Sequence, residues 1–188
     1  KKHNIEITGY ISQIGSIKID KNNINYNQIS KNDFFCPDIN KVTELEDYLT
    51  KIKKEGDSIG AIIEIVAKNV PAGLGEPVYN KLDTALAAAM MSINAVKAVE
   101  IGSGFDVATK RGSEVSDEIS MDGNEVSFSN NNSGGILGGI SSGQDIIIRF
   151  AVKPTSSILK EKNTIDKFGN NTTLITKGRH DPCVGIRA

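Results

Sequence analysis

The sequence predicts an α+β fold, with mainly antiparallel sheet layers packed on a long central helix. Three observations carry this: paired apolar alternations near the start, an extended apolar run at helical spacing in the middle, and further alternating segments after it. At 188 residues the chain is long enough for one domain with a sizeable core, so one domain, or two small lobes, is expected.

Ile5 and Ile7, then Ile17 and Ile19, alternate as two strands with Gly15 and Ser16 at the turn between them. The Asn-rich stretch from Lys21 to Asp33 reads as a loop that leads into Cys36-Pro37-Asp38. Val42, Leu45, Tyr48, Leu49 and Ile52 recur at three- and four-residue steps, and Gly56 after Lys53 and Lys54 is the stop of that helix. Between Ser58 and Val70 apolar residues occupy both alternating sets, the pattern of a strand buried on both faces. Pro77 then fits the first turn of a long, largely buried helix from Val78 to Glu100, with Leu82, Leu86, Met90, Ile93 and Val96 on one face and alanines on another. Gly102 and Gly104 end it. Thr109 to Glu125 has no sustained period and reads as a surface loop, Ile146 to Val152 as a strong strand, and Ile158 to Thr176 as a closing hairpin.

Charge narrows the function classes. Lys+Arg 22 against Asp+Glu 23 leaves a net charge of -1, so no global field draws the chain to nucleic acid or to an anionic membrane. Any anion site must be built locally. Cys36 and Cys183 have no metal-ligand spacing and read as free thiols in a reducing compartment, and no apolar run is long enough for a membrane span or signal peptide. The expectation is a soluble, cytoplasmic protein. With His3 and His180 as the two histidines, neither a Ser-His-Asp triad nor a multi-histidine metal site is supported, and no metal is expected.

Three segments carry chemistry. The run Ser133-Gly134-Gly135-Ile136-Leu137-Gly138-Gly139-Ile140-Ser141-Ser142-Gly143 matches neither nucleotide fingerprint, and its glycines suit a ligand-contacting loop and a structural turn equally. Lys153-Pro154-Thr155-Ser156-Ser157 follows a hydrophobic strand and joins a point charge to three hydroxyls in a proline-stiffened turn, a candidate phosphate cradle or a plain strand-end turn. In the terminal Arg179-His180-Asp181, Arg179 offers a fork for phosphate or carboxylate and Asp181 an acceptor or base, while a surface ion pair is the plain alternative. His180 lies between them and points the other way on an extended backbone, which makes it a packing or supporting residue. Asn94-Ala95 falls inside the expected long helix, where an asparagine among apolar neighbours needs partners.

These segments resemble the chorismate synthase family. The likeness runs over nearly all 188 residues and is densest in Ser58 to Gly60, Val70 to Pro77, Met91 to Lys97, Val99 to Gly102, the glycine run, Lys153 to Ser157, and Lys177 to Ala188. The resemblance implies the family's β-α-β sandwich, here incomplete, and an anti-1,4 elimination of phosphate from 5-enolpyruvylshikimate 3-phosphate to give chorismate. It further implies reduced FMN as cofactor, NADPH as a candidate reductant, and a homotetramer. Carried over residue by residue, FMN would meet Asn94, Ala95, Gly138, Lys153, Pro154, Thr155, Ser156, Ser157 and Arg179. Arg179 would also reach substrate, and Asp181 would handle a proton near the flavin. The family's amino-terminal Gly-Asp-Ser-His-Gly motif, its catalytic histidines, its substrate-gripping arginines and its carboxy-terminal helix have no counterpart here. The expectation is therefore a fragment without turnover of its own. Without the resemblance, the same segments would describe a non-catalytic phosphate- or nucleotide-binding module.

Overall fold

The computed structural model describes residues 4–178 and 180–188. Its main elements are β1 (Glu6–Ile14), β2 (Ile17–Lys18), α1 (Val42–Lys54), β3 (Ala61–Lys68), α2 (Leu82–Met91), β4 (Val96–Ile101), β5 (Ile119–Asp122), β6 (Glu125–Phe128), β7 (Ile136–Leu137), β8 (Ile140–Ser141), β9 (Ile146–Val152), β10 (Lys162–Ile165) and β11 (Asn171–Leu174). Five strands are hydrogen-bonded in the order β2-β1-β3-β9-β4, and β1/β2, β5/β6, β7/β8 and β10/β11 pair antiparallel. This is the α+β class that the sequence predicts. Chain contacts separate two compact units: the chain as far as Tyr10 with Ile63–Phe150, and Ile11–Ile62 with Ala151–Ala188.

In the first unit, Val70, Ile136, Ile146 and Ile148 form a buried cluster, with Leu82, Leu86 and Met90 of α2 packed on it. The double-faced burial expected of β3 is present, because the adjacent residues Ile63 and Glu64 are both buried. The Tyr10 hydroxyl donates to the Glu64 carboxyl group, which partners a buried polar side chain that apolar periodicity does not reveal.

The long buried helix is corrected. α2 spans Leu82–Met91 and has no buried residue. Four residues separate Pro77 from its start, so the proline does not open the helix. At the other end the Ser92 hydroxyl turns back onto the Ala89 carbonyl, and Ala95 takes a positive φ of 70°, which no helix can continue. The β-branched residues beyond it, Val96, Val99 and Ile101, belong to β4. Gly102 and Gly104 therefore end a strand.

Two loop readings are also corrected. Lys21–Asn23 and Tyr26–Lys31 are 3-10 helices, because the side chains of Asp20 and Asn25 accept the backbone N–H two residues on and cap each start. The segment from Thr109 to Glu125 contains a short 3-10 turn at Gly112–Glu114 and then β5. Asp117 fixes it, its two carboxylate oxygens accepting the N–H groups of Asn132 (2.7 Å) and Ser133 (2.8 Å) at the head of the glycine run.

Partial burial pushes the Asp117 carboxyl up, but the hydrogen bonds from Ser133 and Asn132 together outweigh it and hold it below the usual carboxylate range. A depressed folded-state value adds stability that is complete above the unfolded value of about 3.9 and is lost as pH falls through the lower folded value. Asp117→Asn is expected to cost about 1–3 kcal/mol at neutral pH. It should also flatten the acid limb below about pH 4, measured by urea unfolding at a series of pH values.

In the second unit, Ile11, Ile14, Leu45, Val152, Cys36 and Pro37 are the most completely buried side chains. α1 buries Leu45 and Leu49 as its spacing predicts. It ends in a Schellman motif: the Gly56 N–H reaches the Lys53 carbonyl and the Asp57 N–H the Ile52 carbonyl, with Gly56 at φ 67°. The closing hairpin appears as β10 and β11, and both cysteines are free and buried.

Candidate functional site

In the second unit the Lys153–Ser157 turn leaves the end of β9. Lys153 is exposed, and Thr155 Oγ1 is buried without a hydrogen-bond partner among the described residues. An orphaned buried hydroxyl is costly unless something else meets it. The Thr155 carbonyl, by contrast, is held: the Ser58 hydroxyl donates to it at 2.6 Å. The next residue, Ile59, donates its N–H to the Pro182 carbonyl at 2.8 Å. Asp57–Ile59 thus ties the Lys153 turn and the segment after Asp181 to one short strap.

Asp181 Oδ1 lies 3.2 Å from the Arg187 guanidinium. Arg187 had no role in the sequence reading. Six positions from Asp181, it meets the carboxylate only because Val184–Arg187 winds into a 3-10 turn. Burial pushes the nearby Cys183 thiol up, so it is protonated and inert at neutral pH. His180 lines a cavity of about 210 Å³ with Lys53, Asp57, Leu159 and Pro182, and its Nε2 is buried without a partner among the described residues. Arg179 lies outside the described residues, as does His3.

In the first unit the glycine run resolves into distinct parts. Gly138 (φ 60°) and Gly139 (φ 86°) are the two turn residues between β7 and β8, where a two-residue hairpin turn calls for positive φ at both positions. A Cβ on Gly139 would lie 2.7 Å from the Glu76 carbonyl oxygen, so that glycine is structural. A Cβ on Gly138 would meet nothing within 4 Å, so its backbone is open to a ligand.

The expectation for Asn94 is corrected. It is exposed, in the turn between α2 and β4, because the helix stops short of it. The Gly139 carbonyl accepts the N–H of Leu82 at the start of α2, whereas Asn94 and Ala95 follow its end.

Among the described residues no group of three or more His, Cys, Asp or Glu could hold a metal, and no helix is long and apolar enough to cross a membrane.

The architecture has a solved counterpart. A chain titled "Crystal Structure of Chorismate Synthase" superposes with a TM-score of 0.77 at 34% identity, covering 83% of this chain and 51% of that one. The fold is thus that of a known class of biosynthetic protein. A family model described as chorismate synthase matches residues 1–188. The chorismate synthases of Ruegeria sp. (strain TM1040) and Afipia carboxidovorans are 59% identical over 186 residues and 55% identical over 184. Each alignment covers 98% of this chain, and 50% and 51% of those proteins respectively. The chain belongs to the chorismate synthase family, and it spans about half the length of the curated relatives it matches.

Proposed function

We propose that the full-length protein is a chorismate synthase, a lyase of aromatic amino acid biosynthesis that removes phosphate from 5-enolpyruvylshikimate 3-phosphate to give chorismate. The observation that carries this reading is the family match over residues 1–188, which favours it over a non-catalytic phosphate-binding module. Reduced FMN is the proposed cofactor, with NADPH as its reductant, a homotetramer as the assembly and the cytoplasm as the location.

The residues present fit such a ligand. Thr155 Oγ1 is an orphaned hydroxyl in a turn that begins with Lys153, a cation without an ion pair among the described residues. Reduced FMN supplies reducing chemistry that assists phosphate loss without being consumed overall. In this reading Lys153, Pro154, Thr155, Ser156 and Ser157 hold the cofactor through one charge, hydroxyls and backbone N–H groups. Asn94, Ala95 and Gly138 are proposed as further cofactor contacts, and the open space beside Gly138 suits that residue to the role. Arg179 grips cofactor and substrate by charge. Elimination breaks a C–H and a C–O bond: the phosphate leaves with the C–O electron pair, the C–H electrons go into the new C=C bonding, and the hydrogen leaves as a proton. Asp181 handles a proton at its carboxylate, while the ion pair with Arg187 keeps that carboxylate oriented.

Titration of the full-length protein tests the reading. FMN and 5-enolpyruvylshikimate 3-phosphate are expected to tighten each other's binding, as a shared ternary site requires. Independent binding of the two would return the non-catalytic module. Lys153→Ala should weaken FMN binding about tenfold, the loss of one charge-assisted hydrogen bond, read by flavin fluorescence.

A further inference from the structure

We infer that Ser58 is a positioning residue for the cofactor-binding turn, an inference that rests on the reading of Lys153–Ser157 as an FMN contact. Three consecutive residues each hold a different segment. The Asp57 carboxylate accepts from the Lys160 ammonium at 2.5 Å, the Ser58 hydroxyl donates to the Thr155 carbonyl at 2.6 Å, and the Ile59 N–H donates to the Pro182 carbonyl at 2.8 Å. The strap is itself anchored, because Asp57 closes the Schellman motif at the end of α1 and its Oδ1 accepts the Ser58 N–H at 2.8 Å. Its far end is tightly seated as well: a Cβ on Gly60 would lie 2.8 Å from the Val152 carbonyl oxygen.

The Ser58 bond fixes the Thr155 carbonyl, beside the Lys162 ammonium and the Ile158 N–H that donate to the Ser156 carbonyl. Serine and threonine hydroxyls in a turn compete for nearby backbone groups, and a turn rich in them can settle in several arrangements. With its carbonyl already held by Ser58, the Thr155 peptide cannot rotate freely, and the Thr155 hydroxyl stays buried and unpartnered. Ser58 thereby presents an unsatisfied hydroxyl to the ligand without touching the ligand itself. Through Ile59 the same strap fixes Pro182, the neighbour of Asp181, so the turn and the proton-handling carboxylate share one template.

The test is FMN binding to the full-length protein and its variants, followed by flavin fluorescence and by the visible spectrum of the bound flavin. Ser58→Ala is expected to weaken FMN about tenfold and to shift the bound spectrum toward that of free flavin. Ser58→Thr keeps the hydroxyl and should stay within about threefold of the parent, a rescue that a general packing defect would not give. Should Ser58→Ala fail to fold, Ser58→Cys, a near-isosteric weak donor, takes its place in the comparison. Parent-like affinity and spectrum in the variant without the hydroxyl would overturn the inference, as would equal losses in that variant and Ser58→Thr. Absence of FMN binding by the parent itself would instead defeat the cofactor reading on which the inference rests.

Discussion

Asp181→Asn in the full-length protein is expected to lower turnover by about 10²- to 10⁴-fold, the range for removing a positioned acid or base, while FMN affinity stays within a few-fold. Asparagine keeps the shape and an oxygen that can still face Arg187, which pairs with Asp181 Oδ1 at 3.2 Å. What it removes is the capacity to take and return a proton. A loss in kcat with little change in cofactor binding therefore isolates that capacity. Unchanged turnover would take Asp181 out of the mechanism. Arg187→Ala makes the complementary point, since it leaves the carboxylate in place but frees its orientation, and a smaller loss than that of Asp181→Asn is expected.

Gly102→Ala is expected to give the largest loss of stability, about 2–5 kcal/mol from a strained backbone and a steric clash together. Gly102 has φ 59°, and an added Cβ would lie 2.2 Å from the Asn132 carbonyl oxygen and 2.4 Å from the Gly134 nitrogen. The relation is mutual, with a Cβ on Gly134 falling 2.4 Å from the Gly102 nitrogen. Both obstacles are backbone, so no side chain can swing aside. Gly123→Ala is the control: φ is also positive at 63°, but nothing lies within 4 Å of the added atom, and only the strain of about 1 kcal/mol is expected. Urea unfolding of the two variants separates contact from conformation. Similar losses in both would show that the approach of Gly102 to the glycine run is looser than its backbone distances require.

These two predictions draw on different amounts of the sequence. Asp181 was singled out because a carboxylate beside an arginine, a histidine and a proline is chemically dense, and because the segment sits in a family motif; its role is the proposal that the variant tests. The close approach of Gly102 and Gly134 was not legible, since glycine is equally at home in a turn or at a helix end. Arg187 and Ser58 were missed for a related reason. Each acts on a segment brought to it by folding, across six residues in one case and 97 in the other, and neither distance leaves a period in the sequence.

α2 shows where periodicity misleads. Leu82, Leu86 and Met90 do pack on the buried cluster as their spacing predicts. Extending the same spacing through Ile93 and Val96 overran the helix, because a three- to four-residue step cannot be distinguished from strand alternation over so short a run. The backbone decides it locally: Ala95 in the left-handed region stops the helix, and the β-branched residues after it pair as β4.

By itself the sequence determined the α+β class, the placement of α1, β3, β9 and the two terminal hairpins, and membership of a family through the order of its long motifs. These follow from local periodicity, glycine and proline placement, and residue identity, all of which are written along the chain. Tertiary structure alone decided that Glu64 is buried beside Tyr10, that Gly138 is open while Gly139 is closed, and that Ser58 holds the Thr155 carbonyl while the Thr155 hydroxyl is left unpartnered. Those depend on which distant backbone atoms come within a few ångströms of one another. Only the folded chain fixes such distances.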